Sequence, residues 1–387
     1  MRFILFLLAV ITILGLWEMA RHRYMRRRIP LRIHVNGSRG KSSVTRLIAA
    51  GLHAGGLRTC AKTTGSAARF IHVDGSESPI VRHGSPNIRE QLRVFRQAVS
   101  EKAEALVIEC MAVRPDLQWT CEHRIVGSTH GVVTNVRSDH LEVQGPRLED
   151  VARGLAGTIP CNAAFFTGEE TFAPYLEQQA RRRGSRFQRT VPSTVSEEDL
   201  APFTYVEFAE NVSLALDVCE AAGVQRCTAL EGMWKVRPDV GALDRVRIDV
   251  PGKEVHFVNA FAANDPESTA RIWEHLGLSK SPEAAIVLYN NRADRMRRAR
   301  DLAPLFGDTI TARRYVLVGE STAQLSDLFG RRVPRDSVVD LGGLDAAEAW
   351  RRLVEICGER ATVVGVGNIG GAGMALLDLL REKEVAP

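Results

Sequence analysis

The run Gly37-Ser38-Arg39-Gly40-Lys41-Ser42-Ser43 has the residue types and spacing of a phosphate cradle. Glycines let successive backbone N–H groups converge on a phosphate, and the N-terminus of a following helix adds its partial positive charge. Lys41 would reach the outer phosphates of a nucleoside triphosphate, and the Ser42 hydroxyl would face Mg²⁺. The first glycine of the commoner, longer form of this loop falls at Val35, which leaves the shorter Gly-x-x-Gly-Lys-Ser form. A plain strand-to-helix turn is the alternative reading of the loop taken alone. Farther along, Glu109 closes the apolar run Ala105-Leu106-Val107-Ile108. A carboxylate there could hold the metal that bridges ATP phosphates, or be an ordinary surface glutamate. Asp139, His140 and Glu142 cluster after another apolar run, residues 131–136, where they suit a metal or a proton carrier.

These residues need elements to hold them. Residues 31–36 alternate as a strand does, and Val44, Leu47, Ile48 and Leu52 repeat at helical spacing, so the glycine loop joins a strand to a helix. Residues 105–109 and 131–136 read as buried parallel strands, and ligands in open α/β sheets bind beyond such strand ends. Asn211 opens an amphipathic stretch as a candidate helix cap. Beyond residue 244, strand-like segments at 254–259, 284–289, 315–318 and 361–366 alternate with helical ones, which predicts a second α/β lobe. The boundary is expected between Asp239 and Gly252, where Pro and Gly cluster. Gly365-Val366-Gly367-Asn368-Ile369-Gly370 matches a dinucleotide fingerprint but comes too late in the chain for the strand and acidic residue that NAD binding requires. It reads as a tight final strand-to-helix turn.

The length of 387 residues calls for two domains. The formal charge of +5 is modest, and much of it lies in Arg21, Arg23, Arg26, Arg27 and Arg28. With only 6% aromatic residues to stack on bases, nucleic-acid binding is excluded. The seven cysteines are scattered without a C-x-x-C pair, which argues for reduced thiols and against zinc. Cys110 reads as a packed thiol, with a reactive cysteine as the alternative. Residues 3–17 are almost wholly apolar, and an uncleaved membrane anchor is expected over residues 1–20, with a basic linker at 21–30. A cleaved signal peptide is the competing reading, opposed by the arginines and by the lack of a small-x-small site after Trp17.

Taken together and in order, Gly37 to Ser42, Glu109, Asn135 with Asp139-His140, and Asn211 resemble the Mur-ligase superfamily, which includes folylpolyglutamate synthase. Further stretches, Lys62-Thr63-Thr64-Gly65, Glu109-Cys110-Met111-Ala112-Val113, Phe261-Ala262-Ala263-Asn264-Asp265, Arg292-Ala293-Asp294-Arg295 and Gly365 to Ile369, extend the resemblance to the ligase subunits of poly-γ-glutamate synthases, the PgsB/CapB family. The resemblance implies a P-loop, Mur-ligase-like ATPase domain over residues 31–245 and a smaller Rossmann-like α/β domain over 246–387, behind one N-terminal membrane helix. It implies ATP and Mg²⁺, with Lys41, Glu109 and His140 catalytic and Ser42, Glu109 and His140 on the metal. It places Gly37 through Ser43, Asn211, Asp265, Arg292, Asp294 and Arg295 at the nucleotide, although Asp265 could equally cap a helix before Pro266, and Arg292 to Arg295 could be a charged surface turn.

The implied reaction activates a glutamate γ-carboxylate as an acyl phosphate and joins it to an amine, with closure of the second lobe excluding water. Glutamate or a poly-γ-glutamate chain would be the substrate, other membrane subunits the partners, and the catalytic domains cytoplasmic on a single-pass anchor; a homo-oligomer stays open. The competing functions are an ATPase that gates a membrane export assembly and a folylpolyglutamate-synthase-like ligase on another acidic substrate. Two departures from the Mur pattern stand out. No lysine occurs between His140 and Lys235 to be carbamylated as a second-metal ligand, and no domain for a UDP-linked substrate precedes the loop.

Overall fold

A computed structural model describes residues 2–64, 68–82, 84, 86–238, 243–261 and 265–382. The chain forms two compact units, Met1–Asp239 and Val240–Pro387. Strands of the first are β1 (Leu31–Asn36), β2 (Thr59–Thr63), β3 (Arg69–Ile71), β4 (Glu77–Pro79), β5 (Ala105–Glu109), β6 (His130–Val133), β7 (Ala164–Thr167) and β8 (Arg186–Arg189). They form one sheet in the order β4-β3-β2-β5-β1-β6-β7-β8. Pairing is parallel throughout except where β3 meets β2 and β4.

Strand β5 is buried along its whole length, as expected of a parallel strand covered on both faces. The helix Lys41–Ala54 buries Val44, Leu47, Ile48 and Leu52 against the sheet, the stripe its periodicity predicts. Helix Ala209–Ala221 adds Val212, Leu214, Ala215, Leu216 and Val218 to the same core. Parallel pairing aligns the strand ends: Val35 stands opposite both Glu109 on β5 and Val132 on β6. The carboxyl ends of the three central strands therefore deliver the glycine loop, Glu109 and the Thr134–His140 segment to one edge of the sheet.

The N-terminal helix runs from Arg2 to Arg28, 27 residues. At 1.5 Å per residue it is about 40 Å long, more than the ~30 Å of bilayer hydrocarbon. Its most apolar stretch has a mean hydropathy of 2.3 and none of its residues is buried in the protein, and the helix is long and apolar enough to cross a membrane. The basic residues expected as a linker instead continue this helix through Arg28. The reason is tertiary: His22 and Met25 are buried, the His22 ring stands edge-on to Phe95 at 5.0 Å, and His22 Nε2 lies 2.7 Å from the Ile125 carbonyl oxygen.

The second unit holds β9 (Asp244–Val250), β10 (Lys253–Asn259), β11 (Ala285–Asn291), β12 (Arg314–Gly319), β13 (Val338–Asp340) and β14 (Arg360–Gly367), in the order β13-β12-β11-β14-β10-β9. Only β9 runs antiparallel to its neighbour. The glycine-rich fingerprint is the turn from β14 into the helix Ala372–Arg381, the last described helix of the chain. Its glycines answer packing needs. Gly367 has φ +99°, and a β-carbon there would lie 2.5 Å from the Asn290 carbonyl oxygen. A β-carbon at Gly365 would lie 2.6 Å from the ring of the fully buried Phe261. Gly365→Ala is accordingly expected to destabilise the second unit by about 1–3 kcal/mol through overpacking. A lower guanidinium midpoint for the full chain in detergent checks this; an unchanged midpoint would show that the Phe261 ring yields freely.

Candidate functional site

The glycine loop takes the shape a phosphate cradle requires. Gly37 has φ +135° and Gly40 φ +77°, both in the region that favours glycine. Gly37 is also packed so closely that a β-carbon would overlap Thr134. Gly40 is the N-cap of helix Lys41–Ala54, which leaves the helix's first N–H groups directed at the loop. Lys41 Nζ folds back onto the loop and donates to the carbonyls of Gly37 at 2.7 Å and Ser38 at 3.1 Å.

The loop is tied to the segment after β6. The Ser38 N–H donates to the Asn135 carbonyl at 3.0 Å, the Arg39 N–H to Asn135 Oδ1 at 3.0 Å, and Thr134 Oγ1 to the Arg39 carbonyl at 2.6 Å. The Ser38 hydroxyl donates to the Arg137 carbonyl and accepts the Arg137 N–H. Arg39 and Asp139 form a 3.4 Å ion pair. The Asn135–Asp139 segment thus acts as a brace for the loop.

Ser42 and Glu109 form the chemical centre of this edge. The Ser42 hydroxyl donates to Glu109 Oε2 at 2.8 Å, and the Thr64 N–H donates to the same oxygen at 2.5 Å. Glu109 is 2% exposed. A hydroxyl and a carboxylate, both hard oxygen donors beside a phosphate loop, match the few protein ligands that Mg²⁺ takes while phosphate and water complete its octahedron. His140 makes its contacts elsewhere. It adopts φ +49° at the start of the short helix Leu141–Gln144, with Nδ1 3.3 Å from Glu142 and Nε2 3.8 Å from Asp139. Among the described residues, no group of three His, Cys, Asp or Glu side chains gathers as a metal site.

Asn211 lies in the first turn of helix Ala209–Ala221, whose N-cap is Phe208, so Asn211 is not the cap its sequence position suggested. Its side chain abuts the phosphate loop, since a β-carbon at Gly40 would lie 2.6 Å from Asn211 Oδ1. Asn211 Nδ2 donates to Glu207 Oε1 at 2.7 Å. Burial pushes the Glu207 carboxyl above the usual range, against the opposing hydrogen bonds of Asn211, the Phe208 N–H and Tyr205. Thr64 enters the sequence reading only as part of the stretch Lys62-Thr63-Thr64-Gly65, with no role of its own, and Glu207 not at all, since it follows an irregular loop with no pattern to mark it.

The remaining sequence-predicted residues lie in the second unit. Asp265 caps the helix Pro266–His275 by accepting from the Ser268 N–H at 3.0 Å, which is the capping alternative; the neighbouring Ala262, Ala263 and Asn264, like Gly65, lie outside the described residues. Asp294 pairs with Arg292 at 3.1 Å and with Arg295 at 3.6 Å in a turn after β11, all three at least one-third exposed.

Behind the loop, β1 carries a fully buried charge pair. His34 Nδ1 lies 2.8 Å from Glu122 Oε2. Burial alone would lower the imidazole pKa, but the Cys110 thiol and the Glu122 carboxylate outweigh it and raise it to about 9. Cys110 is itself buried, and hydrogen bonding from Cys121, then from His34, holds its thiol well below the ordinary range against the cost of burial. Because the His34 value exceeds the ordinary 6.5, its contribution is complete below pH 6.5 and is lost as pH rises through about 9, whereas the lowered Cys110 contributes stability that is lost as pH falls, so the two oppose each other in between. Glu122→Gln, which removes one of the partners that raise His34, is expected to move the alkaline fall in melting temperature to lower pH; an unmoved alkaline limb would assign it to other groups.

Comparison with known proteins agrees with this architecture. Residues 35–156 match the Mur ligase middle domain and residues 246–383 the poly-gamma-glutamate synthase CapB C-terminal domain. The folylpolyglutamate synthase of Mycobacterium tuberculosis, solved with ADP and AMPPCP, superposes with a TM-score of 0.71 at 18% identity over 94% of this chain and 93% of that one. A bifunctional folylpolyglutamate synthase/dihydrofolate synthase from Yersinia pestis, complexed with AMPPNP and Mn, gives 0.68 at 14% identity over 94% and 91%. These two establish the fold. The capsule biosynthesis protein CapB of Bacillus anthracis is 39% identical over 383 residues, 97% of this chain and 82% of the relative. PGA synthase CapB of Bacillus subtilis strain 168 is 36% identical over 381 residues, 97% of each chain. With both units matched and near-full-length identity at this level, the chain belongs to the CapB family of poly-γ-glutamate synthases.

Proposed function

We propose that the chain is an ATP-dependent amide ligase that lengthens poly-γ-glutamate. The observation that carries this reading is the Ser42–Glu109 pair, 2.8 Å apart beside the glycine loop. A carboxylate lacks a leaving group, and transfer of the ATP γ-phosphoryl to it supplies one; the attacking amine then forms the amide and phosphate departs. Gly37 through Ser43 would hold the nucleotide phosphates on backbone N–H groups. Lys41, released from the Gly37 and Ser38 carbonyls, would stabilise charge on the transferring phosphoryl group. Ser42 and Glu109 would hold Mg²⁺, which supplies electrostatic stabilisation of that same charge when bound. Asn211 would keep the loop and the nucleotide in register from the opposite side. His140 is assigned as a further metal ligand, and Asp265, Arg292, Asp294 and Arg295 to nucleotide or acidic substrate, on the resemblance to Mur ligases alone.

The N-terminal helix would span the cell membrane once. The arginines after Ala20 favour an orientation that keeps the rest of the chain in the cytoplasm, where ATP is available. A single helix cannot form a pore, so polymer export would need multi-span partner subunits. The test is ATP turnover in membranes carrying the chain and its partners, with and without L- or D-glutamate, alongside an assay for γ-linked product. ADP release that depends on glutamate and accompanies polymer supports the ligase. Turnover indifferent to glutamate, with no amide made, would instead identify an ATPase that gates export.

A further inference from the structure

A groove beside the N-terminal helix takes no part in the ligase chemistry. It consists of two joined cavities, about 830 Å³ and about 330 Å³, that share Glu18, Leu92 and Arg96. The smaller follows the helix itself. Leu14, Gly15 and Trp17 line it, with Arg21 one turn on, and Leu92 and Arg96 face them from helix Glu90–Ser100. A side chain added at Gly15 would meet nothing within 4 Å, so the glycine leaves a notch in the helix surface.

The larger cavity adds Arg82, Arg89 and Arg93 beside an apolar wall that includes Phe70, Ile80, Val81 and Val94. Only two carboxylates, Glu18 and Glu90, line the groove with these arginines. Glu90 is paired with Arg82 at 2.6 Å and with the buried Lys62 at 3.0 Å, and Glu18 with Arg89 at 3.3 Å. The Arg21 guanidinium stands over Trp17, 5.3 Å from its ring centroid. Arg93 and Arg96 are exposed, and among the described residues neither has an ion-pair partner.

Along the N-terminal helix the lining follows the order a bilayer would impose: Leu14 and Gly15 in the apolar run, Trp17 at the level where such rings favour the interface, then Arg21, with the unpaired Arg96 facing them from helix Glu90–Ser100. A soluble anion has no use for the apolar wall, and an apolar ligand none for the arginines. We infer that this groove binds an anionic phospholipid of the cytoplasmic leaflet. Its phosphate rests on Arg21, Arg93 and Arg96, and one acyl chain lies along Leu14 and Gly15. The inference rests on the helix spanning the membrane, as read above.

The experiment is native mass spectrometry of the full chain released from nanodiscs of equimolar phosphatidylglycerol and phosphatidylcholine. Retained phosphatidylglycerol is expected to exceed phosphatidylcholine roughly tenfold, from two unpaired arginines near an anionic surface. The preference should fall to parity in Arg93→Ala/Arg96→Ala and persist in Arg23→Ala/Arg27→Ala, which removes charge from the same helix outside the groove. Excess inorganic phosphate should leave retention unchanged. Equal retention of the two lipids, or equal loss in both double variants, would overturn the proposal in favour of diffuse attraction to the basic flank. Displacement by inorganic phosphate would overturn it in favour of a free anion, and displacement by a soluble poly-γ-glutamate oligomer in favour of a polymer site. Failure of the chain to enter nanodiscs of any composition would overturn the membrane reading and the lipid site with it.

Discussion

Lys41→Ala is expected to lower glutamate-dependent ATP turnover by about 10²–10³-fold while leaving the melting temperature of the chain nearly unchanged. The magnitude follows from removing a positive charge aimed at the phosphoryl group in a partly buried site, where electrostatic stabilisation is worth several kcal/mol. The loss should appear in kcat as well as in the KM for ATP, because the interaction strengthens as charge develops in transfer. Folding should survive, since among the described residues Lys41 gives the loop two hydrogen bonds, to the carbonyls of Gly37 and Ser38 at its rim. Steady-state kinetics beside a thermal melt check both halves. An unaffected rate would remove Lys41 from phosphoryl transfer.

Glu109→Gln should act through the metal. The substitution keeps the size of a side chain that is 2% exposed, so the sheet core should tolerate it. It removes the formal charge that a divalent cation requires. The Mg²⁺ concentration for half-maximal activity is expected to rise by more than about tenfold, with kcat also reduced. Glu109→Ala should cost stability as well, about 1–3 kcal/mol, because the Ser42 hydroxyl and the Thr64 N–H would both lose their shared acceptor. A Mg²⁺ titration of Glu109→Gln that overlays the unsubstituted chain would show that Glu109 only braces Ser42 and Thr64.

What the sequence made legible here was local, and what it hid was not. The strand, glycine loop and helix around Lys41 announce themselves because alternation, glycine spacing and the Val44-Leu47-Ile48-Leu52 stripe are all short-range signals. Glu109 was legible as the end of a buried strand, whereas its own burial was not, because a surface glutamate after an apolar run has the same pattern. The late glycine fingerprint, read as a strand-to-helix turn, leads from β14 into the helix Ala372–Arg381. The contact of Thr64, named only within a stretch of resemblance, and the part of Glu207 were hidden for the opposite reason. Thr64 reaches Glu109 across 45 positions of chain, and Glu207 reaches the loop only through Asn211.

Helix boundaries were misjudged where packing overrides local preference. The helix expected to open at Asn211 begins at Ala209. The arginines expected as a linker stay helical because His22 and Met25 on the same helix are buried. Asp265 and the Arg292–Asp294–Arg295 cluster were ambiguous in sequence because a cap or a surface ion pair uses the same residue types as a ligand contact.

Activation of a carboxylate by phosphorylation before the amide forms can be followed by oxygen tracing. Glutamate monomer and poly-γ-glutamate acceptor, both labelled with ¹⁸O in their carboxylates, would be turned over with unlabelled ATP in unlabelled water. An acyl phosphate breaks at its carbonyl carbon when the amine attacks, so the bridging oxygen, which came from the carboxylate, leaves with phosphate. One labelled oxygen is expected in the released phosphate for each amide bond made. Polymer formed with phosphate free of label would contradict that activation, because the phosphoryl group would then have gone to water and never to the carboxylate.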